Sequence, residues 1–302
     1  MKLCKMACGV TVMMTVVFGL AVQSKASETL APSNQWEFQF MPYAWVLFLQ
    51  GETGLGANSK DFNTNLFEVV DKADELYAFM SYQEMRKGRL TLFADVFWNR
   101  IKIKDSGFRS FNPVAGLNLN IVAEGKAWLD LAIIEPGVAY EIGSWGGSHA
   151  SLKDEGAFAP TTTLDILGGV RYWYLRPDID LNVTATVNIP ALGLSRTGAG
   201  SVSAAKTVDW FDPFIGMRLR HQLAPGQEIM LRGDIGGFDI GSDFTWQAQA
   251  GYSFDTTLFG RDMMAYLGYR ALYIDYEEGN GSRKFGLELL SHGPTMGVTF
   301  KW

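Results

Sequence analysis

Apolar and polar positions alternate with a period of two along much of this chain. In the stretch FTWQAQAGYSF, residues 244–254, every even position is apolar or aromatic and every odd position is Thr, Gln, Gly or Ser. This period predicts a β-strand with two unlike faces, because steps of three and four residues give a mixed face. The aromatic residues stand at the ends of the apolar row, and alanines occupy its middle. Tilted by about 40°, such a strand spans about 25 Å, the height of the apolar band of a transmembrane β-barrel.

The same alternation elsewhere predicts twelve strands and the connections between them. The strands are expected at 36–49, 75–86, 89–104, 112–123, 126–142, 163–176, 179–190, 206–222, 227–236, 243–254, 262–277 and 285–302. The apolar parity changes at Pro177-Asp178, which predicts a tight hairpin there. Further turns are predicted on that side at Lys87-Gly88, Glu124-Gly125, Ala224-Pro225-Gly226 and 255–261. Longer connections on the opposite side are predicted at 50–74, 105–111, 143–162, 191–205, 237–242 and 278–284.

Mostly short turns on one side and longer loops on the other are typical of bacterial outer-membrane barrels. The sequence therefore predicts an all-β fold, a closed antiparallel transmembrane β-barrel of about 12 strands, with a range of 10–14. The alternative is a soluble sandwich, in which the apolar face of each strand is core.

The first long loop contains the segment NLFEVVDKADEL, residues 65–76, which predicts a short amphipathic helix. Asn65 suits an N-cap, and Glu68 stands three residues later, as in a capping box. Leu66, Val69 and Ala73 follow helical spacing. Two positions are open for this helix: folded into the lumen, which it would narrow, or resting on the barrel rim.

The N-terminus predicts a signal peptide at 1–26, followed by a single barrel domain at 27–302. Lys2 and Lys5 precede an uncharged, mostly apolar run at 9–22, and Ser24-Lys25-Ala26 offers small residues before a cleavage site. An uncleaved membrane helix is the alternative, but the run is short for a span. Both cysteines of the chain lie within 1–26, so the predicted mature chain has none.

The C-terminus resembles the insertion signal of Gram-negative outer-membrane barrels. In the last stretch, TMGVTFKW, apolar side chains alternate with Thr, Gly or Lys, and the chain ends on an aromatic residue. We expect the barrel-assembly machinery to recognise the apolar set, which comprises Met296, Val298, Phe300 and Trp302.

Charge and composition exclude several classes of function. Removing the signal peptide with its three lysines leaves a net charge of (26 − 3) − 32 = −9, and no basic cluster is present. Nucleic-acid binding is therefore disfavoured. No metal-binding or phosphate-binding motif occurs. Ser291 and His292 are adjacent on a predicted strand and so point to opposite faces, which argues against a Ser-His pair. We expect no enzyme activity, no cofactor and no metal.

Several stretches together resemble a widespread family of Gram-negative outer-membrane β-barrel proteins whose function is mostly unassigned. They are PYAW (42–45), EMRKGRLTLFADVFW (84–98), LGGVRYWYL (167–175), DWFDPFIGMRLR (209–220) and GDIGGFDIGSDFTWQAQAGYSF (233–254). The resemblance implies the barrel fold, the outer membrane of a Gram-negative bacterium as its location, and outer-membrane lipid and lipopolysaccharide as its surroundings. It implies no activity and no ligand, and the oligomeric state is left open.

The strand parities place charged residues on the face opposite the lipid, where they would line the lumen. The candidates are Glu84, Arg86, Asp95, Glu135, Asp165, Arg171, Arg218, Arg232, Asp234 and Arg270. Acidic residues on the early strands and arginines on the later ones suggest two opposed walls. Such walls orient small polar solutes in pores, so a narrow or gated passage is predicted. The alternative is a structural or surface-interaction barrel, because buried charges are normally paired and the lumen would then be plugged.

Overall fold

The computed structural model of the chain describes residues 35–55, 58–114, 117–146, 159–189, 194–205, 207–258, 260–279 and 285–302. The signal peptide at 1–26 and His149 lie outside the described residues. Signal-peptide cleavage stays a prediction.

The described residues form thirteen strand segments and one short helix. They are β1 Glu37–Trp45, β2 Phe48–Leu55, β3 Asn58–Asn65, α1 Leu66–Lys72, β4 Ala73–Lys87, β5 Leu90–Val114, β6 Leu117–Gly146, β7 Thr161–Ile189, β8 Leu194–Ala205, β9 Val208–Ala224, β10 Gln227–Gly237, β11 Phe244–Leu258, β12 Arg261–Glu278 and β13 Phe285–Lys301. No helix among the described residues is long and apolar enough to cross a membrane.

Ten of these strands close a barrel in which every neighbouring pair is antiparallel. Their order is β1-β4-β5-β6-β7-β9-β10-β11-β12-β13, and β13 pairs back onto β1. Beyond a break at Val46-Leu47, β2 continues β1 along the same edge of β13. Counting β1 and β2 as one strand, the described residues hold ten barrel strands plus two outside it, β3 and β8, which makes twelve. The predicted fold class is confirmed.

The register fixes the dimensions of the barrel. A path of directly opposed residues that starts at Phe38 of β1 and passes once around the wall returns to the same strand at Gln50, a shift of 50 − 38 = 12 residues. For ten strands, this shift requires a tilt of about 40° and a radius of about 10 Å. A barrel of this size is narrow enough for its own side chains to fill.

Two of the predicted hairpins are wrong. Glu124-Gly125 lies inside β6, where Gly125 faces Asp105, and Pro177-Asp178 lies inside β7. Each strand runs straight through the predicted turn. Because the outward face of a strand is apolar only where it meets lipid, apolar parity also changes where a strand leaves the bilayer. The loop expected at 105–111 is therefore strand as well.

Without those two hairpins, the connection between β6 and β7 lies at the opposite end of the barrel from the one predicted. The chain between Gly146 and Thr161, which face each other, joins β6 to β7 at the end that holds the turns at Gly88 and Gly226. The prediction placed 143–162 with the long loops, and that placement is wrong. The turns at Gly88 and Gly226 are confirmed, and both glycines adopt positive φ, 60° and 69°.

The two faces of the wall differ as the alternation predicts. In β11, Phe244 is 42% exposed, whereas Thr245 and Gln247 are 0% and 2% exposed. In β13, Met296 and Trp302 are exposed on the outside, Val298 and Phe300 are half-buried, and Thr295 and Thr299 are buried inside. The outer surface is apolar and the interior is polar, which is the arrangement of a transmembrane barrel whose outer face contacts lipid.

Candidate functional site

Inside the barrel, one group of charges lies nearer the end that holds the turns at Gly88 and Gly226. Arg218 contacts Glu84 at 2.6 Å and Asp165 at 2.9 Å, and Arg220 also reaches Asp165 at 3.2 Å. The hydroxyl of Tyr82 donates to Glu84 and accepts from Arg218. Since β4 and β9 are not neighbours in the sheet, the contact between Glu84 and Arg218 crosses the lumen.

A second group lies at mid-height and is the most buried part of the lumen. Arg171 donates to Glu135 at 2.7 Å and to Asp234 at 2.9 Å, and all three side chains are at most 1% exposed. Arg232 binds the same two carboxylates. Two arginines therefore share two acids in a closed, charge-balanced square. Such a set is favourable in a dry interior only because each charge is paired.

A third group of contacts also spans the lumen. Arg270 of β12 donates to Asp95 of β5 at 2.7 Å and to the amide oxygen of Gln247 at 2.8 Å. The Tyr43 hydroxyl donates to Asp95 at 2.8 Å and accepts from Arg270. Since β12 and β5 lie on opposite sides of the barrel, this contact is also a bridge across it.

Aromatic rings pack around the arginines of the middle group. The guanidinium groups of Arg171 and Arg232 lie 5.2 and 5.6 Å from the centre of the Phe214 ring, and Arg232 lies 5.2 Å from that of Phe93. These contacts remove the cations from water while the ring faces stabilise their charge. The sequence reasoning missed both rings, although Phe93 shares the inward parity of Asp95.

Above the charges, towards the loop end, the lumen is closed by an aromatic lid. The Trp210 and Tyr276 rings stack at 3.9 Å, Trp173 and Trp210 stack at 5.7 Å, and Trp45 meets Phe97 edge-on at 5.9 Å. These five side chains, which we call the aromatic lid, belong to one buried apolar cluster. The lid is a second barrier on top of the ion pairs.

All ten charged residues expected in the lumen lie on the inner face. Nine are buried, and Arg86, which is half-buried, pairs with Glu141 near the turn at Gly88. The opposed walls also form: acids on β4 to β6 face arginines on β7 to β12, but the two walls are in direct contact. Glu141 shares the parity of Glu135, yet the sequence reasoning omitted it, as it omitted Tyr43 and Tyr82.

Helix α1 rests on the rim and does not enter the lumen. The Asn65 side chain accepts hydrogen bonds from the backbone N–H groups of Phe67 and Glu68, and Glu68 accepts one from Asn65 in return. This is the predicted capping box. None of the residues of α1 is buried, and Phe67 is 67% exposed. Of the two open positions for this helix, the rim position is the one observed.

The two described histidines are each hydrogen-bonded to a hydroxyl group. The Nδ1 atom of His221 lies at hydrogen-bonding distance, 2.8 Å, from the Thr162 hydroxyl, and that of His292 lies 2.6 Å from the Tyr269 hydroxyl. His292 faces outward and stacks on Phe48, while Ser291 is buried inside, so the two point apart as predicted. Among the residues that the structure describes, no three His, Cys, Asp or Glu are arranged to hold a metal ion.

The architecture distinguishes a transmembrane barrel from a soluble sandwich. An apolar exterior, a polar paired interior and a closed ring of ten antiparallel strands are the features of a membrane-spanning barrel and not those of a soluble sandwich. The chain folds as an outer-membrane β-barrel. At the level of the fold, this confirms the resemblance noted in the sequence.

Comparisons with known proteins find low-scoring likenesses among solved structures. No family model matches the sequence, and no curated protein matches it. Among solved structures, a Pseudomonas aeruginosa FadL homologue aligns over 89% of this chain and 90% of its own, at 7% identity and a TM-score of 0.29. The Escherichia coli outer membrane protease OmpT aligns over 91% and 99%, at 7% identity and 0.33. Ail, the attachment invasion locus protein of Yersinia pestis, aligns over 86% and 97%, at 10% identity and 0.21.

Proposed function

We propose that the protein is a non-conducting, non-enzymatic barrel of the Gram-negative outer membrane that anchors a β-sheet at the cell surface for contacts with other molecules. The paired lumen carries this proposal. Bridges between Arg218 and Glu84 and between Arg270 and Asp95 cross the barrel at two heights, and the aromatic lid lies above them. Ions crossing along the axis would have to separate buried pairs, which costs several kcal/mol for each charge left unpaired.

The lengths of three strands support the proposal that the barrel carries a β-sheet at the cell surface. β5, β6 and β7 have 25, 30 and 29 residues, whereas about ten residues suffice to cross the apolar band. β8 pairs with Asp178–Ile189 of β7, beyond the point where Leu175 faces the start of β9 at Val208. The four strands β5 to β8 therefore continue as one sheet past the barrel, at the end opposite the turns at Gly88 and Gly226, and lipopolysaccharide is its expected surrounding.

Conductance in planar bilayers tests the proposal. The wild-type protein is expected to show no current steps above those of protein-free membranes. The matched variant carries Arg171→Ala, Arg232→Ala, Glu135→Ala and Asp234→Ala together, which removes the central square without changing the net charge. It is expected to stay closed to ions, because the bridges between Arg218 and Glu84 and between Arg270 and Asp95 and the aromatic lid remain; conductance of this variant would show that the square, and not the bridges, is the barrier. Steady ion conductance of the wild-type barrel would overturn the proposal.

A passage for small polar solutes is the second candidate, and the opposed charged walls favour it. It requires the bridges to separate transiently, so that the acidic and basic walls form an eyelet. In that case wild-type conductance is expected to rise with ionic strength more steeply than bulk conductivity, because salt screens the charges of the eyelet once the pairs have separated and are hydrated.

A further inference from the structure

The backbone ladder between β1 and β4 is incomplete, and the gap lies beside Trp45 of the aromatic lid. The two strands are paired from Glu37–Arg86 up to Pro42–Ser81. Above that point β1 continues along β13 as far as Trp45, and β4 continues along β5 up to Ala73, but the two no longer pair with each other. We call the gap between residues 43–46 and residues 73–80 the β1–β4 window.

The window has a closed lower and a closed upper border. Below it, the ladder ends at Pro42, which has no N–H to extend it. Above it, the backbone N–H of Leu66, the first residue of α1, donates to the carbonyl of Leu47 at 2.8 Å. Higher still, β3 covers the edge of β2. The opening on the β1 side is thus four residues long, about 13 Å along the strand.

The window lies at the height of the outer half of the membrane. On its β4 side, Tyr77 and Phe79 face outward and are 39% and 41% exposed. Phe79 is directly opposite Trp98 of β5. These rings form the aromatic belt at the loop end of the barrel, which in such barrels marks the border of the apolar band. Open strand edges are unfavourable at this depth, because lipid cannot satisfy backbone hydrogen-bonding groups.

Behind the window lies the buried apolar cluster of the aromatic lid, in which the indole donors of Trp45 and Trp173 have no hydrogen-bond partner. Met80 packs against the buried cluster that contains the aromatic lid. Trp45, at the edge of the window, is 2% exposed, and its indole Nε1 has no hydrogen-bond partner. A buried donor without a partner costs about 1–3 kcal/mol, so a ligand acceptor at this position would be stabilised.

We propose that the β1–β4 window is a lateral portal through which an uncharged lipophilic molecule with a hydrogen-bond acceptor passes from the outer leaflet to Trp45. Arg270, whose guanidinium lies 4.9 Å from the centre of the Trp45 ring, is already paired with Asp95. A charged molecule would therefore find no free counterion there, and the indole N–H selects a hydroxyl or carbonyl oxygen. This route bypasses the ion pairs, so it goes beyond the proposed function and stays compatible with a barrel that conducts no ions.

Cysteine pairs measure whether the window is open. If the register of Pro42–Ser81 continued, Ala44 would face Phe79, so the variant Ala44→Cys/Phe79→Cys tests the window. The matched control, Phe40→Cys/Gln83→Cys, lies in the paired part of the same two strands with the same outward orientation. Under mild oxidation, the window pair is expected to give about tenfold less disulfide than the control, because a disulfide requires Cβ atoms within about 4.5 Å. Equal yields would overturn the portal.

Fluorescence tests the ligand class without depending on those variants. The probe is a dibrominated fatty alcohol in vesicles that contain the barrel. The emission of Trp45 is the fluorescence of the wild type minus that of Trp45→Phe. As a control, the emission of Trp173, a lid residue on β7, is the fluorescence of the wild type minus that of Trp173→Phe. Most of the Trp45 emission is expected to be lost on adding the alcohol, while that of Trp173 is retained. Unquenched Trp45 emission would overturn the proposal even if the barrel conducts no ions.

Discussion

At the residue scale, single buried polar groups hold the short surface turns of the barrel. The turn between β10 and β11 places Phe238 and Asp239 in the left-handed region, at φ 54° and 57°, which is unfavourable for both side chains. Asp212 compensates: its carboxylate, fully buried, accepts from the backbone N–H of Ser242 at 2.6 Å and from its hydroxyl at 2.8 Å. It also accepts from the Trp210 indole of the lid at 3.3 Å.

Replacing that carboxylate is expected to weaken the barrel. Asp212→Ala leaves the two Ser242 donors buried and unsatisfied, which lowers the free energy of unfolding by about 1–3 kcal/mol. Urea unfolding in lipid vesicles measures the change. The control is Asp209→Ala on the same strand, where the carboxylate is exposed and a change within about 0.5 kcal/mol is expected. Equal effects of the two substitutions would show that Asp212 does not hold the turn.

At the element scale, the extension made by β13, β2 and β3 carries a row of like charges. Glu288 of β13 is directly opposite Glu52 of β2, and Glu52 is directly opposite Asp61 of β3. Residues in one row share a face, so the carboxylates repel each other across the strands. The Tyr273 hydroxyl donates to Glu288 at 2.9 Å and relieves part of that repulsion.

Neutralising the middle member of the row is therefore expected to stabilise the extension. Glu52→Gln removes both repulsions at once, each worth about 0.2–1 kcal/mol. The opening free energy of β2 and β3 is expected to rise by that amount for each pair, and their amide hydrogen exchange is expected to slow accordingly. The gain is expected to shrink at high salt, because exposed charges are screened. The control is Asp61→Asn, which removes one repulsion and is expected to give the smaller effect. Unchanged or faster exchange in Glu52→Gln would contradict this account.

At the scale of the whole molecule, assembly depends on how the last strand closes the barrel. β13 pairs with β12 on one side and with β1 on the other, and its final residues meet the start of β1 through hydrogen bonds between Phe38 and Trp302. Closure therefore requires the last strand in place. Its outward side chains are the predicted insertion signal.

Removing the aromatic end of that signal is expected to block assembly. Phe300→Ser/Trp302→Ser leaves the backbone ladder intact but removes two lipid-facing rings, so degraded or periplasmic protein is expected instead of a heat-modifiable band in the outer membrane. The matched control is Thr299→Ser/Lys301→Ser, on the inner face of the same strand. Normal assembly of the aromatic double variant would refute the insertion signal.

Much of this architecture follows from local pattern. The alternation in residues 244–254 determined a strand, its lipid-facing side and its inward Gln247, because side chains of neighbouring residues in a strand point in opposite directions. The same rule placed the ten lumen charges on the inner face. The capping box of α1 is also local, since Asn65 and Glu68 lie within one helical turn.

Tertiary structure decided what local pattern could not express. Parity changes at a hairpin and also where a strand leaves the bilayer, so only the pairing partners of β6 and β7 showed that both run on past Gly125 and Asp178. Ten strands with a shift of twelve residues give a radius of about 10 Å. That radius lets an arginine reach an acid on the far wall. Residue types determined which side chains face inward, and barrel width decided that Arg270 meets Asp95 and leaves the lumen filled.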